Sequence, residues 1–157
     1  MEKIALKRMT RELCHELFQN WENDSSVYAD MSRFKPYTYL EASVDRYFDA
    51  KNEPTRMVFA IMLDKKPIGE LQLKHIDPEK AECTLSIHMQ NDAVKGRGFG
   101  SQAEMEAVRY AFEELGMAAV NADTIIKNVR SQHVLEKVGF RLVGEDETFK
   151  YYRIEKA

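Results

Sequence analysis

A glycine-rich loop constrains the fold of this chain more than any other segment. The stretch Val94–Ser101 contains three glycines that alternate with larger residues, directly after a strand-like run and directly before an amphipathic helix. Glycine lets a backbone approach a ligand closely and adopt a positive φ without steric penalty. Free N–H groups there, with the positive end of the following helix, form an anion site. The loop therefore predicts either a pyrophosphate site, with Lys95 and Arg97 adding positive charge, or an ordinary turn that caps a helix.

Length and composition predict one soluble globular domain over residues 1–157, since 44% of the residues are hydrophobic and 31% are charged. A formal net charge of −3 gives no reason to expect a nucleic-acid or membrane partner. Cys14 and Cys83 are too few for a disulfide framework and lie in no metal-binding spacing. We therefore expect no metal site and a cytoplasmic location. The N-terminus shows no signal-peptide core, and no apolar run reaches membrane-spanning length.

Hydrophobic periodicity predicts an α/β fold with the element order β-α-α-β-β-β-α-β-α-β-β. The predicted strands cover about residues 4–9, 57–63, 68–76, 83–89, 119–126, 141–144 and 149–154. Because a helix connects the fourth and fifth strands, these two should lie parallel. The result is a mixed, mostly antiparallel sheet with helices on both faces.

The helices are placed by their caps and apolar faces. Thr10 and Thr38 are the predicted N-caps of the first two helices. In the third, about residues 98–115, Glu104 falls on a polar face, and the predicted core face consists of Met105, Val108, Phe112 and Leu115.

Two segments together resemble the GNAT N-acetyltransferase superfamily. The family's pyrophosphate signature, Gln/Arg-x-x-Gly-x-Gly/Ala, reads Lys95-Gly96-Arg97-Gly98-Phe99-Gly100 here. Its second signature, Asn-x-x-Ser/Ala-x-x-x-Leu/Tyr-x-Lys-x-Gly-Phe, matches from Asn128 to Phe140. The deduced element order also resembles the family fold over essentially the whole chain. The sequence of the second signature, from Asn128 to Phe140, is most similar to that of the subgroup that includes ribosomal-protein N-terminal acetyltransferases.

The resemblance implies an N-acetyltransferase that moves the acetyl group of acetyl-CoA to a primary amine by direct attack in a ternary complex. The acceptor would be an amine-bearing small molecule or a protein N-terminus, and a homodimer stays open. In the family the fourth and fifth strands splay apart and grip the pantetheine arm. The implied cofactor-binding residues are Ile87, His88, Met89, Lys95, Gly96, Arg97, Gly98, Phe99, Gly100, Ser101, Asn128 and Ser131.

Two departures from the family pattern bear on this interpretation. Lys95 stands where Gln or Arg is usual, which keeps a cation but loses a planar bidentate donor. Glu136 stands where many members have a tyrosine that protonates the leaving thiolate. The alternative is therefore a sensor with the same fold that binds acyl-CoA without turnover. A dinucleotide-binding oxidoreductase is less favoured, because the glycine spacing is GxGxG and lies late in the chain.

The catalytic assignments have alternatives at every position. By resemblance Ser131 is the general acid, although it could instead bond locally within its helix. His88 has the ordinary pKa for a base near neutrality, but a surface histidine is an equal alternative. A water chain could replace it, and Glu70 and Glu82 are weaker candidates for which exposure to solvent is favoured. Asn128 could cap its helix, bind pantetheine, or do both.

We expect the acceptor pocket to form from residues 21–48 and the loop before the last strand. The aromatic residues of this segment either line that pocket or anchor the core, and they are Trp21, Tyr28, Phe34, Tyr37 and Tyr39. Glu22, Asp24 and Asp30 either attract a cationic amine or form a solvated face.

Overall fold

The computed structural model describes residues 2–157, which form one seven-stranded sheet and four α-helices. The strands are β1 (Ile4–Arg8), β2 (Met57–Leu63), β3 (Lys66–Asp77), β4 (Glu82–Met89), β5 (Ala119–Ile125), β6 (Arg141–Glu145) and β7 (Phe149–Glu155). The helices are α1 (Arg11–Gln19), α2 (Glu41–Lys51), α3 (Phe99–Glu113) and α4 (Val129–Val138). The order across the sheet is β1-β2-β3-β4-β5-β7-β6. The predicted fold class and element order are confirmed.

The β4–β5 pair is the one parallel contact of the described sheet, and it is held at one end only. Its register joins Glu82 to Ala119, Cys83 to Val120 and Thr84 to Asn121. Beyond that point β4 and β5 continue without pairing to each other. The two strands therefore separate in the middle of the sheet, and their backbone groups at the gap are free to bind something else.

Helices α3 and α4 cover one face of the sheet. The buried face of α3 agrees only in part with the predicted one: Val108 is buried, and Phe112 and Leu115 are half-buried against the core. Ala103, Ala107 and Ala111 are fully buried, whereas Met105 is 58% exposed. The prediction that Met105 faces the core and Glu104 a polar surface is wrong, because Glu104 is only 2% exposed. The small alanine side chains bring the helix close to the sheet, so they set its rotation.

Helices α1 and α2 cover the other face around a second cluster of buried residues, which consists of Cys14, Leu17, Phe18 and Val44. Thr10 caps α1 as predicted, since its Oγ1 accepts a hydrogen bond from the Leu13 amide at 3.1 Å. The predicted cap at Thr38 is wrong, because α2 begins at Glu41 after Leu40, whose backbone is extended. Tyr37 and Tyr39, which lie in the non-helical segment before α2, pack against the second cluster. Among the described residues, no helix is both long and apolar enough to cross a membrane.

Candidate active site

A cavity of about 190 Å³ lies where β4 and β5 separate. It is bounded by both strands, by the first turns of α4, and by single residues from α3, β3 and β7. Its lining residues are Lys74, Leu85, Ser86, Ile87, His88, Glu104, Ala122, Asp123, Thr124, Ile125, Asn128, Ser131, Leu135 and Phe149. The structure thus brings four of the predicted site residues together at one cavity, two from β4 and two from the second signature.

The cavity connects the two faces of the sheet. The β3–β4 register pairs Glu70 directly with His88, so both side chains lie on the face that α1 and α2 cover. Successive residues of a strand point to opposite faces. Leu85 and Ile87 accordingly pack on the other face, in the main core cluster that also contains Ala103 and Ala107 of α3. Two reactants can therefore reach the gap from opposite sides of the sheet.

The first turn of α4 presents two polar side chains to the cavity. Asn128 Oδ1 accepts a hydrogen bond from the Ser131 amide at 3.2 Å, so Asn128 does cap the helix. Within the described part of the chain, the side-chain Nδ2 of Asn128 and the Ser131 hydroxyl make no hydrogen bond and remain available, whereas the backbone N–H of Asn128 donates to the Ile125 carbonyl. Glu136 lies elsewhere and accepts a hydrogen bond from the Tyr152 hydroxyl at 3.1 Å. Glu136, the second of the two departures from the family pattern, therefore has a structural partner and does not line the cavity.

The glycine loop offers backbone donors. Gly96 and Gly98 have φ values of +71° and +83°, and Gly98 is the N-cap of α3. The Lys95 amide is bonded to the Asp92 carbonyl, but no amide from Gly96 to Ser101 has a partner within the described residues. These N–H groups at a helix N-terminus form an arrangement suited to an anion.

The two cations of the loop are occupied by carboxylates. Lys95 Nζ contacts Asp24 at 2.6 Å and Asp92 at 3.0 Å. Arg97 pairs with Glu2, and its guanidinium lies over the Phe99 ring at 4.7 Å. In this conformation the backbone amides, rather than the Lys95 and Arg97 side chains, are free for a bound anion.

Three titratable groups, His88, Glu70 and Glu82, were candidates for the base, and the structure gives each a different environment. His88 lines the cavity and is exposed to it. Surrounding protein lowers the pKa of His88 by desolvation, while the negative charge of Glu70 opposes that effect. Glu70 is buried, so the expectation that it faces solvent is wrong. Glu82 lies at the paired end of β4, where bonds from Arg153 and Asn121 hold its pKa below the usual range.

The buried Glu70 belongs to a hydrogen-bonded cluster beneath α2. Its Oε1 accepts hydrogen bonds from the Tyr47 hydroxyl and from Gln72 Nε2, the latter at 2.8 Å. Glu70 Oε2 is buried and has no partner among the described residues. Glu70 is therefore placed to influence His88 across the register pair without lining the cavity itself.

Residues 3–141 match the family model described as Acetyltransferase (GNAT) domain. The chain belongs to the GNAT acetyltransferase family. This GNAT enzyme is 22% identical over 146 residues to the uncharacterized N-acetyltransferase p20 of Bacillus licheniformis, covering 91% of this chain and 82% of that relative. It is 31% identical over 81 residues to the probable N-acetyltransferase YjcK of Bacillus subtilis (strain 168), covering 52% of this chain and 45% of that relative. It is an acetyl-CoA-dependent N-acetyltransferase.

The GNAT chain also has the fold of a solved acetyltransferase. The spermidine N-acetyltransferase of Vibrio cholerae, crystallised with CoA and spermine, superposes with a TM-score of 0.78 at 20% identity. The match covers 98% of this chain and 95% of that one. At this identity the similarity establishes the fold.

Three of the aromatic residues that were predicted either to line the acceptor pocket or to anchor the core act as core anchors in this GNAT enzyme. Trp21, Tyr37 and Tyr39 pack against the second cluster, and Tyr28 stacks edge-on against Phe34 with ring centroids 5.4 Å apart. None of them lines the described cavity. Of the acidic residues of the same segment, Glu22 and Asp30 are exposed, whereas Asp24 is half-buried and pairs with Lys95. Asp24 and Asp30 each accept hydrogen bonds from the serine two residues later.

Sequence reasoning missed several residues that line the cavity of the GNAT enzyme. Phe149 is the first residue of β7, directly after the loop that was predicted to contribute, but it was not singled out. Glu104 was assigned to a polar face, although the alanines at 103, 107 and 111 mark the buried stripe beside it. Lys74 and Ser86 gave no sequence signal, because their position depends on the β3–β4 register.

We expect Asp24→Asn to destabilise the GNAT enzyme by about 1 kcal/mol at pH 7. Burial alone would raise the pKa of Asp24, but hydrogen bonds from Lys95 and Ser26 outweigh it and hold the pKa at about 2. A depressed carboxyl pKa adds stability above the unfolded-state value of about 3.9, and that stability disappears as the pH falls through 2. Urea unfolding at pH 7 and near pH 2 should therefore show a difference between the proteins that shrinks in acid.

The matched control for Asp24 is Asp30→Asn. Asp30 makes the same two hydrogen bonds to its own serine but pairs with no lysine. We expect Asp30→Asn to cost less than Asp24→Asn at pH 7. Equal losses would show that the Lys95 contact, which joins two segments 71 residues apart, adds nothing to stability.

Proposed function

We propose that this enzyme acetylates a primary amine of a small molecule, with residues 1–157 acting as a single catalytic domain. The observation that carries the proposal is the cavity that passes through the sheet where β4 and β5 separate. It lets a thioester approach from the α3 side and an amine from the α1–α2 side. Direct attack then needs no covalent enzyme intermediate, which fits the burial of both Cys14 and Cys83.

The proposed cofactor site follows the predicted residues from the loop to the cavity. The amides from Gly96 to Ser101 would bind the pyrophosphate. The unpaired edge of β4 at Ile87, His88 and Met89 would bind the pantetheine arm and supply an N–H that polarises the acetyl carbonyl. The free side-chain Nδ2 of Asn128 would add a donor at the far end. The donors present therefore fit acetyl-CoA.

The proposed proton transfers use one group on each side of the gap. His88 would accept the proton of the attacking amine, because its lowered pKa keeps the imidazole neutral near pH 7. Ser131, whose hydroxyl has no partner among the described residues, would protonate the leaving thiolate. The enzyme thus ends with the acetyl group on the acceptor nitrogen and free CoA.

The acceptor class is supported by similarity and by charge. The structural neighbour from Vibrio cholerae was crystallised with spermine, a small polyamine. Here the buried carboxylate of Glu70 lies on the acceptor side of the sheet. We therefore favour a cationic small-molecule amine over a protein N-terminus. The relatives described above give no support to the ribosomal-protein subgroup, while a homodimer and a cytoplasmic location stay predictions.

The experiment that tests the function combines binding with turnover. Acetyl-CoA is titrated by calorimetry, and CoA release is then followed with a thiol reagent over a panel of polyamines, amino acids, aminoglycosides and N-terminal peptides. Turnover with a small amine supports the proposal, and turnover with peptides alone contradicts the acceptor class. Binding without turnover on the whole panel would favour the acyl-CoA sensor, and no binding would remove both.

We expect Ser131→Ala to lower kcat by about 10²-fold while leaving the Kd for acetyl-CoA within about 2-fold, because a general acid acts mainly in the transition state. Single-turnover rates and calorimetry on the same preparations measure the two quantities. Rates equal to wild type would assign the proton to another group or to water.

A further inference from the structure

Glu104 reaches the cavity from the face opposite His88. It lies on α3, five residues beyond Phe99 and about 7 Å along the helix from the glycine loop. The cavity lining also includes the apolar Leu85, Ile87 and Leu135, which belong to or pack against the same core cluster as Ala103 and Ala107 of α3. A carboxyl group therefore lies on the mainly apolar α3 side of the cavity, on the helix that begins at the glycine loop and in the same cavity as Ser131.

The carboxyl of Glu104 has no partner of its own. The residue is 2% exposed, and its Oε1 is buried without a hydrogen bond among the described residues. It takes part in no described ion pair. Desolvation raises the pKa of Glu104 to about 8, so the group is mostly a neutral acid at pH 7 and can donate a hydrogen bond.

The other titratable groups of the cavity do not neutralise it. They are Lys74 from β3, His88 from β4 and Asp123 from β5, and none is paired with Glu104. The polar residues that the start of α4 contributes to the cavity are Asn128 and Ser131, and neither titrates. On β1, Ile4 and Leu6 pack against the same core, and Arg8 is stacked over Phe59.

We propose that Glu104 binds the pantetheine arm of acetyl-CoA by donating its carboxyl O–H to an amide carbonyl of that arm. The inference rests on the proposed cofactor site, in which the arm runs from the loop to Ser131 and so passes Glu104. An orphaned polar group in an apolar wall destabilises the protein without its ligand. A carbonyl of the arm would satisfy it, and this gives the carboxyl a role that folding alone does not.

Two variants separate hydrogen bonding from packing. Glu104→Gln keeps a neutral donor of the same size, and Glu104→Leu removes it. Each is titrated with CoA and with adenosine 3′,5′-bisphosphate, which lacks the arm. We expect Glu104→Leu to weaken CoA binding roughly 3- to 10-fold, Glu104→Gln to stay within about 2-fold, and bisphosphate binding to be unchanged in both. Unchanged CoA binding by Glu104→Leu would overturn the proposal.

The pH dependence provides a second test. Wild-type affinity for CoA should weaken as the pH rises above about 8, where Glu104 ionises and loses its donor. Glu104→Gln should lack this loss, while Lys74, His88 and Asp123 are the same in both proteins. Parallel pH profiles for the two proteins would count against Glu104.

Thermal unfolding of the free proteins distinguishes a binding role from a structural one. We expect Glu104→Leu to raise the Tm, since leucine removes an unpartnered buried carboxyl. A lower Tm with equal losses for CoA and the bisphosphate would assign Glu104 to folding and overturn the proposal. If Glu104→Leu does not fold, the comparison of wild type with Glu104→Gln at high pH decides. Failure of the wild type to bind CoA would instead remove the proposed function itself.

Discussion

Gly98→Trp is expected to weaken acetyl-CoA binding at least about 100-fold and to abolish acetyl transfer. Gly98 is the N-cap of α3 with φ +83°, and a Cβ built there meets no atom within 4 Å. That open space lies beside the free amides of the loop, so an indole would occupy the volume proposed for the pyrophosphate. Blocking several charge-assisted hydrogen bonds at once makes this the largest binding effect expected.

The matched control for Gly98 is Gly116→Trp. Gly116 also has a positive φ, +70°, and also lacks neighbours around its Cβ position, but it follows the other end of α3. Both variants should lose roughly 1–2 kcal/mol of stability, the cost of a left-handed backbone for a residue with a side chain. Calorimetry should show that only Gly98→Trp loses acetyl-CoA. Equal affinities for the two variants would remove the loop from the cofactor site.

The sequence contained enough information for the elements and their order, because both depend on local periodicity and on turn residues. The strand from Met57 to Leu63 agrees with its predicted bounds, and Asn128 and Gly139 bound α4 as the second signature indicates. The parallel pair followed from one chain rule, that a helical crossover joins parallel strands.

The predictions that were wrong concern features that depend on contacts between residues distant in the sequence. The rotation of α3 is set by three alanines against the sheet, and a search for large apolar residues found Met105 instead. Glu70 is buried because α2 lies over it and Tyr47 bonds to it, which no local pattern indicates. Lys95 pairs with Asp24, which is 71 residues away in the sequence. The sequence of the loop alone therefore could not show that the Lys95 ammonium group is already paired.

His88→Gln is expected to lower kcat by about 10²- to 10³-fold with little change in the Kd for acetyl-CoA. The imidazole lines the cavity on the sheet face that α1 and α2 cover, and glutamine keeps a polar side chain there without a basic nitrogen. The matched control is His133→Gln, since His133 is exposed on α4 and does not line the cavity. Full activity in His88→Gln would exclude the histidine as the base.

The pH profile of the activity decides whether His88 or Glu70 is the group whose protonation lowers the activity at acidic pH (the acidic limb of the profile). A base works when deprotonated, so activity should fall as the pH drops through the pKa of His88, which desolvation places below its usual 6.5. The charge of Glu70 raises that pKa, so Glu70→Gln should move the limb to still lower pH while activity at pH 7 persists. If Glu70→Gln abolishes turnover and His88→Gln keeps the limb, the buried carboxylate is the base and the histidine serves the acceptor in another way.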